Sequence, residues 1–392
     1  MIDSRISELP RPFVLTAFDT MQQTRDEAYA FTQEANFYWL THINESGWLV
    51  IGDEKDIYLV APEKTPEQLL FEGGLLNDEA IAVSGINSIL TSKEGWRYIE
   101  NLAKKYNKIH TLGRDPYDKY NTFTRNPAPG RLRNRLKRLF KQVDDIRPEF
   151  TRLRAAKQPA EIEAMRRAIA ITGTAFACVY KNLNQHRYKY EYEIEADMTA
   201  CIRRSGADGH AYEPIIAGAK NALTMHYSKN NDILPKNGFI LMDVGAKYNS
   251  FVADITRTYA VGEVSRRHQE VYSVLLDAHK AIIATLAPDV TYKDYQQKSD
   301  NIMKQALIDL GLLKDKKDEK TYRKYFPHAI SHGLGLDVHE SLGGDKFTTG
   351  MVLTVEPGIY IPEEGIGIRL EDNILITSDG HKNLSSDIPL DL

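Results

Sequence analysis

The chain has 392 residues, more than one ordinary hydrophobic core accommodates, so two domains are expected. Hydrophobic residues make up 42% and charged residues 27%, which is normal for a soluble globular protein. The formal net charge of −4 gives no reason to expect nucleic acid or a membrane surface as a partner. No apolar run approaches the roughly 20 residues that span a bilayer.

The two cysteines, Cys178 and Cys201, both lie in segments with helical patterns. They provide neither a disulfide framework nor a thiolate zinc site, and they are typical of a reducing compartment. The N-terminus is polar and shows no hydrophobic signal-peptide core. We therefore predict a cytoplasmic location.

The first 150 residues combine strand and helix patterns, as in an α/β domain. "SGWLVIG" (46–52) and "DIYLVAP" (56–62) are short β-rich runs joined by a polar linker, which predicts a hairpin. "AIAVSGI" (80–86) and "KIHTLGR" (108–114) are further strand candidates. "GRLRNRLKRLF" (130–140) has leucines at helical spacing with basic residues opposite. A nucleic-acid patch is one interpretation of that segment, but the solvated face of an amphipathic helix is favoured.

The second half begins with a connector and a long helix, and we place the domain boundary between residues 150 and 151. Pro159 stands where a helix N-terminus tolerates proline, with glutamates in the first turn. The charged run "DKKDEK" (315–320) is predicted to be a loop, and strand patterns with Gly and Pro turns dominate after it. Further helices are predicted near 190–204, 264–286 and 292–312.

Two aspartates lie inside apolar strands of a predicted hairpin, "GFILMDVGAKYNSFVADITRTYAV" (238–261). With a turn at Tyr248–Asn249, Asp243 would lie directly opposite Asp254, with Cβ atoms about 4.5–5.5 Å apart on one face. Like charges in that arrangement repel each other unless a cation lies between them. One aspartate could instead serve the turn and the other an exposed edge, but both lie within apolar runs. A metal site is therefore favoured.

A second pair of strands is predicted in "GMVLTVEPGIYIPEEGIGIRLEDNILIT" (350–377). The first strand ends at Glu356, and Glu371 lies inside the second. Because side chains alternate along a strand, Arg369 and Glu371 should share the inward face. The same alternation predicts that Asp372 faces solvent or forms a local cap.

The segment "HAISHGLGLDVHE" (328–340) contains His328, His332 and His339, and by itself leaves open whether it provides three ligands or one. Four carboxylates and a histidine exceed the roughly three protein ligands of a catalytic zinc ion. They suit two metal ions about 3.5–4 Å apart, joined by bridging carboxylates. Such ligands favour hard ions such as Mn²⁺. A metal-bridging water of lowered pKa would then be the nucleophile, which indicates hydrolysis.

Several segments resemble, in the family's order, the signatures of the pita-bread metallopeptidases, a family that includes aminopeptidase P, prolidase and methionine aminopeptidase. The segments are "IIAGAKNALTMHY" (215–227), "MDVGAKYNSFVADITRT" (242–258), "HAISHGLGLDVHE" (328–340), "VEPGIY" (355–360) and "GIRLEDN" (367–373). This resemblance covers about residues 150–392. In addition, "TRDEAYAFTQEANFYWLTHINESGWLVI" (24–51) resembles the N-terminal domain of aminopeptidase P and its prolidase relatives.

The resemblance implies an α/β (α+β) fold in two domains. Residues 1–150 would form an N-terminal α/β domain of the creatinase and aminopeptidase P type, and residues 151–392 a pita-bread catalytic domain. The catalytic domain would be a curved antiparallel sheet covered by helices, with the site in its concave face. Related enzymes are homodimers or homotetramers, so a homo-oligomer is expected.

The family pattern implies five metal ligands, which are Asp243, Asp254, His332, Glu356 and Glu371. By resemblance, Asp243 would chelate one ion, while Asp254 and Glu371 would bridge both. His332 and Glu356 would complete the shell of the second ion, and Glu356 would also handle the proton of the attacking water. The cofactors would be two divalent ions, with Mn²⁺ favoured and Co²⁺, Zn²⁺ or Fe²⁺ also compatible.

The resemblance also implies roles on the substrate side. His226 and His339 would stabilise the developing oxyanion or the substrate backbone. His328 would lie near the end of the site that binds proline. Arg369 would orient the carboxylates beside the substrate. The remaining substrate-side residues would be Tyr212 and Tyr360.

The favoured function is a Xaa-Pro aminopeptidase, which removes the N-terminal residue from peptides with proline in the second position. Prolidase, which cleaves only Xaa-Pro dipeptides, shares every ligand, and the sequence does not separate the two. A non-catalytic pita-bread binding protein is disfavoured because such proteins usually lose metal ligands, and all five are present. A zinc protease of the HExxH type is disfavoured because Ala329 stands where the general-base glutamate should be.

Overall fold

The computed structural model describes residues 4–114, 123–183, 185 and 187–390. It divides into two compact units, Met1–Leu153 and Arg154–Leu392. Among the helices of these described ranges, none combines the length and the apolar character needed to cross a membrane.

The first unit is a six-stranded mixed sheet with helices. Its strands are β1 (Phe13–Thr16), β2 (Leu49–Gly52), β3 (Ile57–Ala61), β4 (Ser88–Thr91), β5 (Lys108–Thr111) and β6 (Gln142–Asp145), in the order β4-β3-β2-β1-β5-β6. The helices are α1 (Ala35–Thr41), α2 (Pro66–Glu72), α3 (Asn77–Ser84), α4 (Ser92–Lys105), α5 (Ala128–Leu136) and α6 (Arg147–Ala155), the last of which contains the division between the units. The predicted α/β character and the predicted β2–β3 hairpin are confirmed, with Gly52 paired to Ile57 at the turn.

One strand prediction in this unit is wrong. The "AIAVSGI" segment forms the end of α3, which buries Ala80 and Ser84 one turn apart. Gly85, in a left-handed conformation with φ 69°, ends the helix. The helix begins after Leu76, whose backbone N–H bonds the Glu79 carboxylate. Short apolar runs do not separate strand from helix by periodicity, and here the local capping groups decide.

The second unit contains long helices and short bent strands. Its helices are α7 (Pro159–Leu183), α8 (Glu191–Arg204), α9 (Arg266–Ile283), α10 (Tyr292–Asp309) and α11 (Glu319–Tyr325). Its strands are β7 (Gly209–His210), β8 (Ile215–Gly218), β9 (Gly238–Val244), β10 (Ala246–Tyr248), β11 (Phe251–Val252), β12 (Ile255–Val261), β13 (Val352–Val355), β14 (Gly358–Ile361), β15 (Ile366–Arg369), β16 (Asp372–Thr377) and β17 (Gly380–Asn383). The predicted helices α7 to α10 are confirmed, but α11 begins inside the charged run that was predicted to be a loop.

Two bent antiparallel hairpins carry the candidate site. In the first, β9 pairs with β12 and continues past Gly245 as β10, which pairs with β11. In the second, β13 pairs with β16, and β14 pairs with β15. The hairpins meet where the Glu371 N–H donates to the Thr256 carbonyl (3.0 Å) and the Thr258 hydroxyl donates to the Arg369 carbonyl (3.0 Å).

Helices cover each hairpin on its apolar face. Phe176 of α7 and Met198 of α8 belong to the same buried cluster as Met242 of β9. Leu275 of α9 lies in a second cluster with Leu353 of β13. Burying the apolar faces under helices leaves the opposite face of the strands for polar side chains.

The predicted register of the first hairpin is wrong by two residues. Asp243 pairs with Thr256 rather than with Asp254, and the turn lies at Asn249–Ser250, both with positive φ. Asp254 instead lies in the break between β11 and β12. Because side chains alternate with a period of two, a shift of two residues keeps both carboxylates on the same face.

Candidate metal centre

A polar cleft in the second unit collects the residues that the sequence motifs single out. Its lining consists of Met225, His226, Asp243, Asp254, His328, His332, His339, Glu356, Arg369 and Glu371. Tyr212 and Tyr360 reach the same group through hydrogen bonds to Asp243 and Arg369. All twelve side chains lie in the second unit.

Each carboxylate of the cleft lies at an interruption of a strand. Asp243 is near the end of β9, and Asp254 lies just before β12. Glu356 directly follows β13, and Glu371 directly precedes β16. At these breaks the backbone bends, so four carboxylates from two hairpins converge on one space.

Three of these residues lie close enough together to hold a metal ion. Asp254, His332 and Glu371 each offer one ligand atom, and the three atoms lie within 4.8 Å of one another. The His332 Nε2 atom lies 3.4 Å from Asp254 Oδ2 and 3.3 Å from Glu356 Oε1. Asp243 is linked to Asp254 through the Tyr212 hydroxyl, which lies 2.5 Å from Asp243 Oδ1 and 2.6 Å from Asp254 Oδ1.

The carboxylates hold more negative charge than the nearby side chains neutralise. Burial, together with the charges of Asp254 and Glu356, raises the pKa of Glu371 well above its usual range. Burial likewise raises the pKa of Glu356 to about 7, and it raises the pKa of Asp243 against the opposing effect of Arg369. A bound divalent cation would reverse these shifts by favouring the ionised forms. The donor set, rich in carboxylate oxygens with one imidazole, therefore fits divalent ions.

The three histidines of the 328–340 segment differ in charge. Burial alone would lower the pKa of His332, but its hydrogen bond to Asp254 and the charge of Glu356 outweigh burial and raise the pKa to about 9. Burial lowers the pKa of His328 to about 4, with help from Arg369. Burial also lowers the pKa of His339 to about 4, with help from His332. His328 and His339 are therefore neutral near pH 7.

Arg369 connects one carboxylate of the cleft to two hydroxyl groups. Its guanidinium donates to Asp243 Oδ2 (2.6 Å), to the Tyr360 hydroxyl (3.0 Å) and to Thr256 Oγ1 (3.1 Å). The His328 Nε2 atom lies 2.9 Å from the same Tyr360 hydroxyl. The Thr256 hydroxyl in turn donates to Glu371 Oε2 (2.7 Å). This chain of bonds orients carboxylates from both hairpins.

Asp372 does not face solvent, which corrects the sequence-based prediction. It is completely buried, and its Oδ1 atom accepts from Arg257 Nη2 (2.7 Å) and Ser385 Oγ (2.8 Å). Burial alone would raise the pKa of Asp372, but Arg257 and His279 outweigh it and lower the pKa to about 2. Strand alternation correctly separates Asp372 from Glu371, but it does not reveal that the second face is also covered.

Sequence reasoning missed the roles of Arg257 and His279 in this network. Arg257 is completely buried in β12, and its Nη1 atom also donates to the Glu371 carbonyl (2.7 Å). His279 of α9 places Nε2 3.6 Å from Asp372 Oδ2. An arginine inside the apolar strand "ITRTYAV" (255–261) was the available signal, because buried cations require an anionic partner.

Comparison with known proteins assigns the family. A model described as metallopeptidase family M24 matches residues 163–378, and a model described as the aminopeptidase P N-terminal domain matches residues 6–110. The chain belongs to metallopeptidase family M24. The predicted family is thereby confirmed.

Relatives and structural neighbours match this chain over nearly its whole length. A Xaa-Pro aminopeptidase from Haemophilus influenzae is 31% identical over 96% of this M24 chain and 91% of the relative. A Bacillus anthracis structure assigned as an aminopeptidase P superposes with a TM-score of 0.87 at 29% identity, covering 98% and 93% of the two chains. The structure of aminopeptidase P from E. coli with the inhibitor Pro-Leu superposes with a TM-score of 0.80 at 25% identity. The match covers 96% of this chain and 91% of the E. coli chain. These neighbours confirm the predicted fold class.

Proposed function

We propose that this M24 chain is a dinuclear Xaa-Pro aminopeptidase, which hydrolyses the bond between an N-terminal residue and a following proline. The observation that carries the proposal is the convergence of four carboxylates and His332 in a cleft lined by three further histidines. The names of the relatives and neighbours support the substrate class. The proposal also includes a division into two domains, residues 1–150 and 151–392, in which the second domain catalyses the hydrolysis.

The metal ligands in this proposal are Asp243, Asp254, His332, Glu356 and Glu371. The ligand set supports Mn²⁺ as the preferred ion because oxygen donors dominate it, and it is also compatible with Co²⁺, Zn²⁺ or Fe²⁺. Divalent ions bound there would lower the pKa of a water and polarise the scissile carbonyl.

Other steps of the proposed reaction, which are proton transfer, oxyanion stabilisation and substrate binding, are assigned to individual side chains. Glu356 lies among the proposed ligands, with Oε1 3.3 Å from His332 Nε2, and its carboxylate can accept the proton of the attacking water and return it. His226 and His339 stabilise the developing oxyanion as hydrogen-bond donors. His328 and Arg369 bind the substrate beside the metal centre. The remaining substrate-binding residues in the proposal are Tyr212 and Tyr360.

Peptide length decides between the proposed activity and prolidase. A panel of Xaa-Pro, Xaa-Pro-Yaa and Xaa-Ala peptides, assayed with Mn²⁺, Co²⁺ and Zn²⁺, measures both the substrate and the metal. We expect cleavage of Xaa-Pro-Yaa with Mn²⁺ and little cleavage of Xaa-Ala. Cleavage of the dipeptide alone would assign prolidase instead.

Loss of metal or of a ligand tests the dinuclear mechanism. We expect EDTA to abolish peptide cleavage and Mn²⁺ to restore it, while Asp254→Asn lowers the bound metal measured by elemental analysis. Activity that survives both treatments would rule out the two-metal mechanism.

We also propose a homodimer or homotetramer in the cytoplasm. Exposed apolar side chains in the first unit support assembly, since Leu70 is 80% and Phe71 is 85% exposed. The free thiols of Cys178 and Cys201 are typical of a reducing compartment. Light scattering on the purified chain tests the assembly, and a monomeric mass at micromolar concentration would exclude it.

A further inference from the structure

Glu191 is a buried carboxylate outside the cleft. It lies in the first turn of α8 and has 0% exposure. Its Oε1 atom accepts from Gly218 N (2.8 Å) and Asn221 Nδ2 (2.9 Å), and its Oε2 atom accepts from the Tyr227 hydroxyl (2.7 Å) and Asp232 N (3.0 Å). Since a carboxylate has about four acceptor sites, its hydrogen-bonding capacity is fully used.

All of these donors belong to one segment, residues 218–232, which carries His226. The segment leaves β8 at Gly218, forms a short 3₁₀ turn over Ala219–Leu223, and reaches the cleft at His226. Donors lie on both sides of His226, with Asn221 before it and Tyr227 directly after it. Glu191 therefore binds the parts of the segment before and after His226 through one carboxylate.

Further bonds close the same loop. Asn221 Nδ2 also lies within hydrogen-bonding distance of the Tyr227 hydroxyl (3.1 Å) and of Asp232 Oδ2 (3.0 Å), so its two hydrogens are shared among three acceptors. The Glu191 backbone N–H donates to the Asp232 carbonyl (3.1 Å). The start and the end of the segment are thus held together across the first turn of α8.

The His226 imidazole depends on this backbone for its position. The residue is exposed and lies in a turn outside the helices and strands. Within the described ranges, no hydrogen bond to its ring is found. The path of the segment is what brings the imidazole to the cleft.

We propose that Glu191 is a positioning residue for His226: its carboxylate holds the 218–232 segment in the conformation that presents the imidazole to the reacting carbonyl. This inference rests on the proposed function, which gives His226 its role at the oxyanion. A misplacement of about 1 Å can cost on the order of 10²-fold in rate. A carboxylate outside the cleft can therefore control turnover without contacting substrate.

The test replaces the carboxylate by an amide of the same size. In Glu191→Gln an NH₂ group faces donors on one side, so hydrogen bonds that hold the segment are lost. We expect kcat to fall about 10-fold to 100-fold with KM and bound metal near their wild-type values. Glu193→Gln is the matched control, because Glu193 lies in the same turn and bonds the N–H groups of Lys189 and Tyr190. The control should change kcat less than about 2-fold.

A double-mutant cycle shows whether Glu191 acts through His226. In a His226→Ala background, Glu191→Gln should lower kcat less than about 2-fold further, because the group that it positions is gone. An undiminished effect in that background, or a loss of bound metal in the single variant, would overturn the inference.

Hydrogen exchange provides a readout that does not need activity. In Glu191→Gln, either the Gly218 or the Asp232 N–H group faces the new NH₂ and loses its acceptor. Exchange should therefore become faster across 218–232 and stay unchanged across β9 and β12. Unchanged exchange in the segment would overturn the positioning role. If the exchange changes as expected but the wild-type chain cleaves no Xaa-Pro peptide, the proposed function fails while the positioning of His226 stands.

Discussion

At the scale of single residues, buried charge dominates the second unit. Arg369 is 5% exposed and bonds Asp243, while Arg257 and Asp372 form a pair that is almost fully buried. Burying a charge is costly unless it is paired, so each of these partners depends on the other. The first pair includes the proposed ligand Asp243, and the second lies next to the proposed ligand Glu371, because Asp372 directly follows it in the chain.

Removal of the Arg369 guanidinium should destabilise the protein. Arg369→Ala leaves the Asp243 carboxylate buried without its cation, and breaking a buried pair costs about 3–5 kcal/mol. We expect that loss in the free energy of unfolding of the metal-free protein, measured by urea denaturation. Arg267→Ala is the control, since Arg267 pairs with Glu364 near the surface, where a pair contributes about 0–1 kcal/mol. Equal losses in the two variants would contradict the prediction.

Glu340 should make stability depend on acid pH. Burial alone would raise the pKa of Glu340, but Arg154 and Lys157 outweigh it and lower the pKa to about 2. The folded-state pKa lies below the unfolded value of about 4.3, so the stabilisation is complete above about pH 5 and is lost as pH falls towards 2. Its size is on the order of 3 kcal/mol.

The measurement compares wild type with Glu340→Gln by urea denaturation at pH 7 and at pH 3.5. We expect the difference in unfolding free energy between the two proteins to narrow at the lower pH. A difference that stays constant over this range would show that the ionised Glu340 carboxylate contributes nothing specific. The variant also loosens the 333–340 segment, because Leu336 N donates to Glu340 Oε1 (2.8 Å).

At the scale of elements, the bend of the first hairpin depends on one glycine. A Cβ atom at Gly245 would lie 1.9 Å from the Ala253 carbonyl oxygen and 3.0 Å from a ring carbon of Tyr212. The two strands are both interrupted here: Asp243 lies two residues before Gly245, and Asp254 lies in the break between β11 and β12. The absence of a side chain at Gly245 therefore lets the two strands approach closely, which brings the Asp243 and Asp254 carboxylates together.

Gly245→Ala should weaken both the hairpin and the metal site. Overpacking at such a contact costs about 1–3 kcal/mol, and the shift of backbone should separate Asp243 from Asp254. We expect a lower urea midpoint together with less bound Mn²⁺ by elemental analysis. Gly209→Ala is the control, because Gly209 lies in β7 beside β10 and a Cβ atom there meets nothing within 4 Å. Normal metal content in Gly245→Ala would disprove the link between bend and site.

At the scale of the whole molecule, the proposed metal centre belongs entirely to the unit Arg154–Leu392. A ligand that binds only the folded state stabilises it by about 2.7 kcal/mol at a concentration of one hundred times Kd. We therefore expect Mn²⁺ to slow hydrogen exchange in β9, β12 and β16 while leaving β1 to β5 unchanged. Equal protection of both units, or of neither, would contradict this prediction.

The sequence by itself determined much of the local structure. Periodicity and capping residues identified the helix that starts at Pro159, and polar linkers between β-rich runs identified the β2–β3 hairpin. The motifs identified the side chains that the structure brings into the cleft, because metal chemistry of this kind requires carboxylates and histidine, and each motif contains at least one such residue. Errors arose for "AIAVSGI", a short run in which helix and strand patterns coincide.

Only the tertiary structure decided how the elements cover one another. Strand alternation shows which residues share a face, but it does not show whether another layer buries the opposite face, as happens to Asp372. The hairpin register depended on where the backbone could turn, at Asn249–Ser250, and on the close approach at Gly245. Glu191 became visible as a partner of the His226 segment only after folding, because hydrogen bonds between residues distant in sequence leave no local pattern.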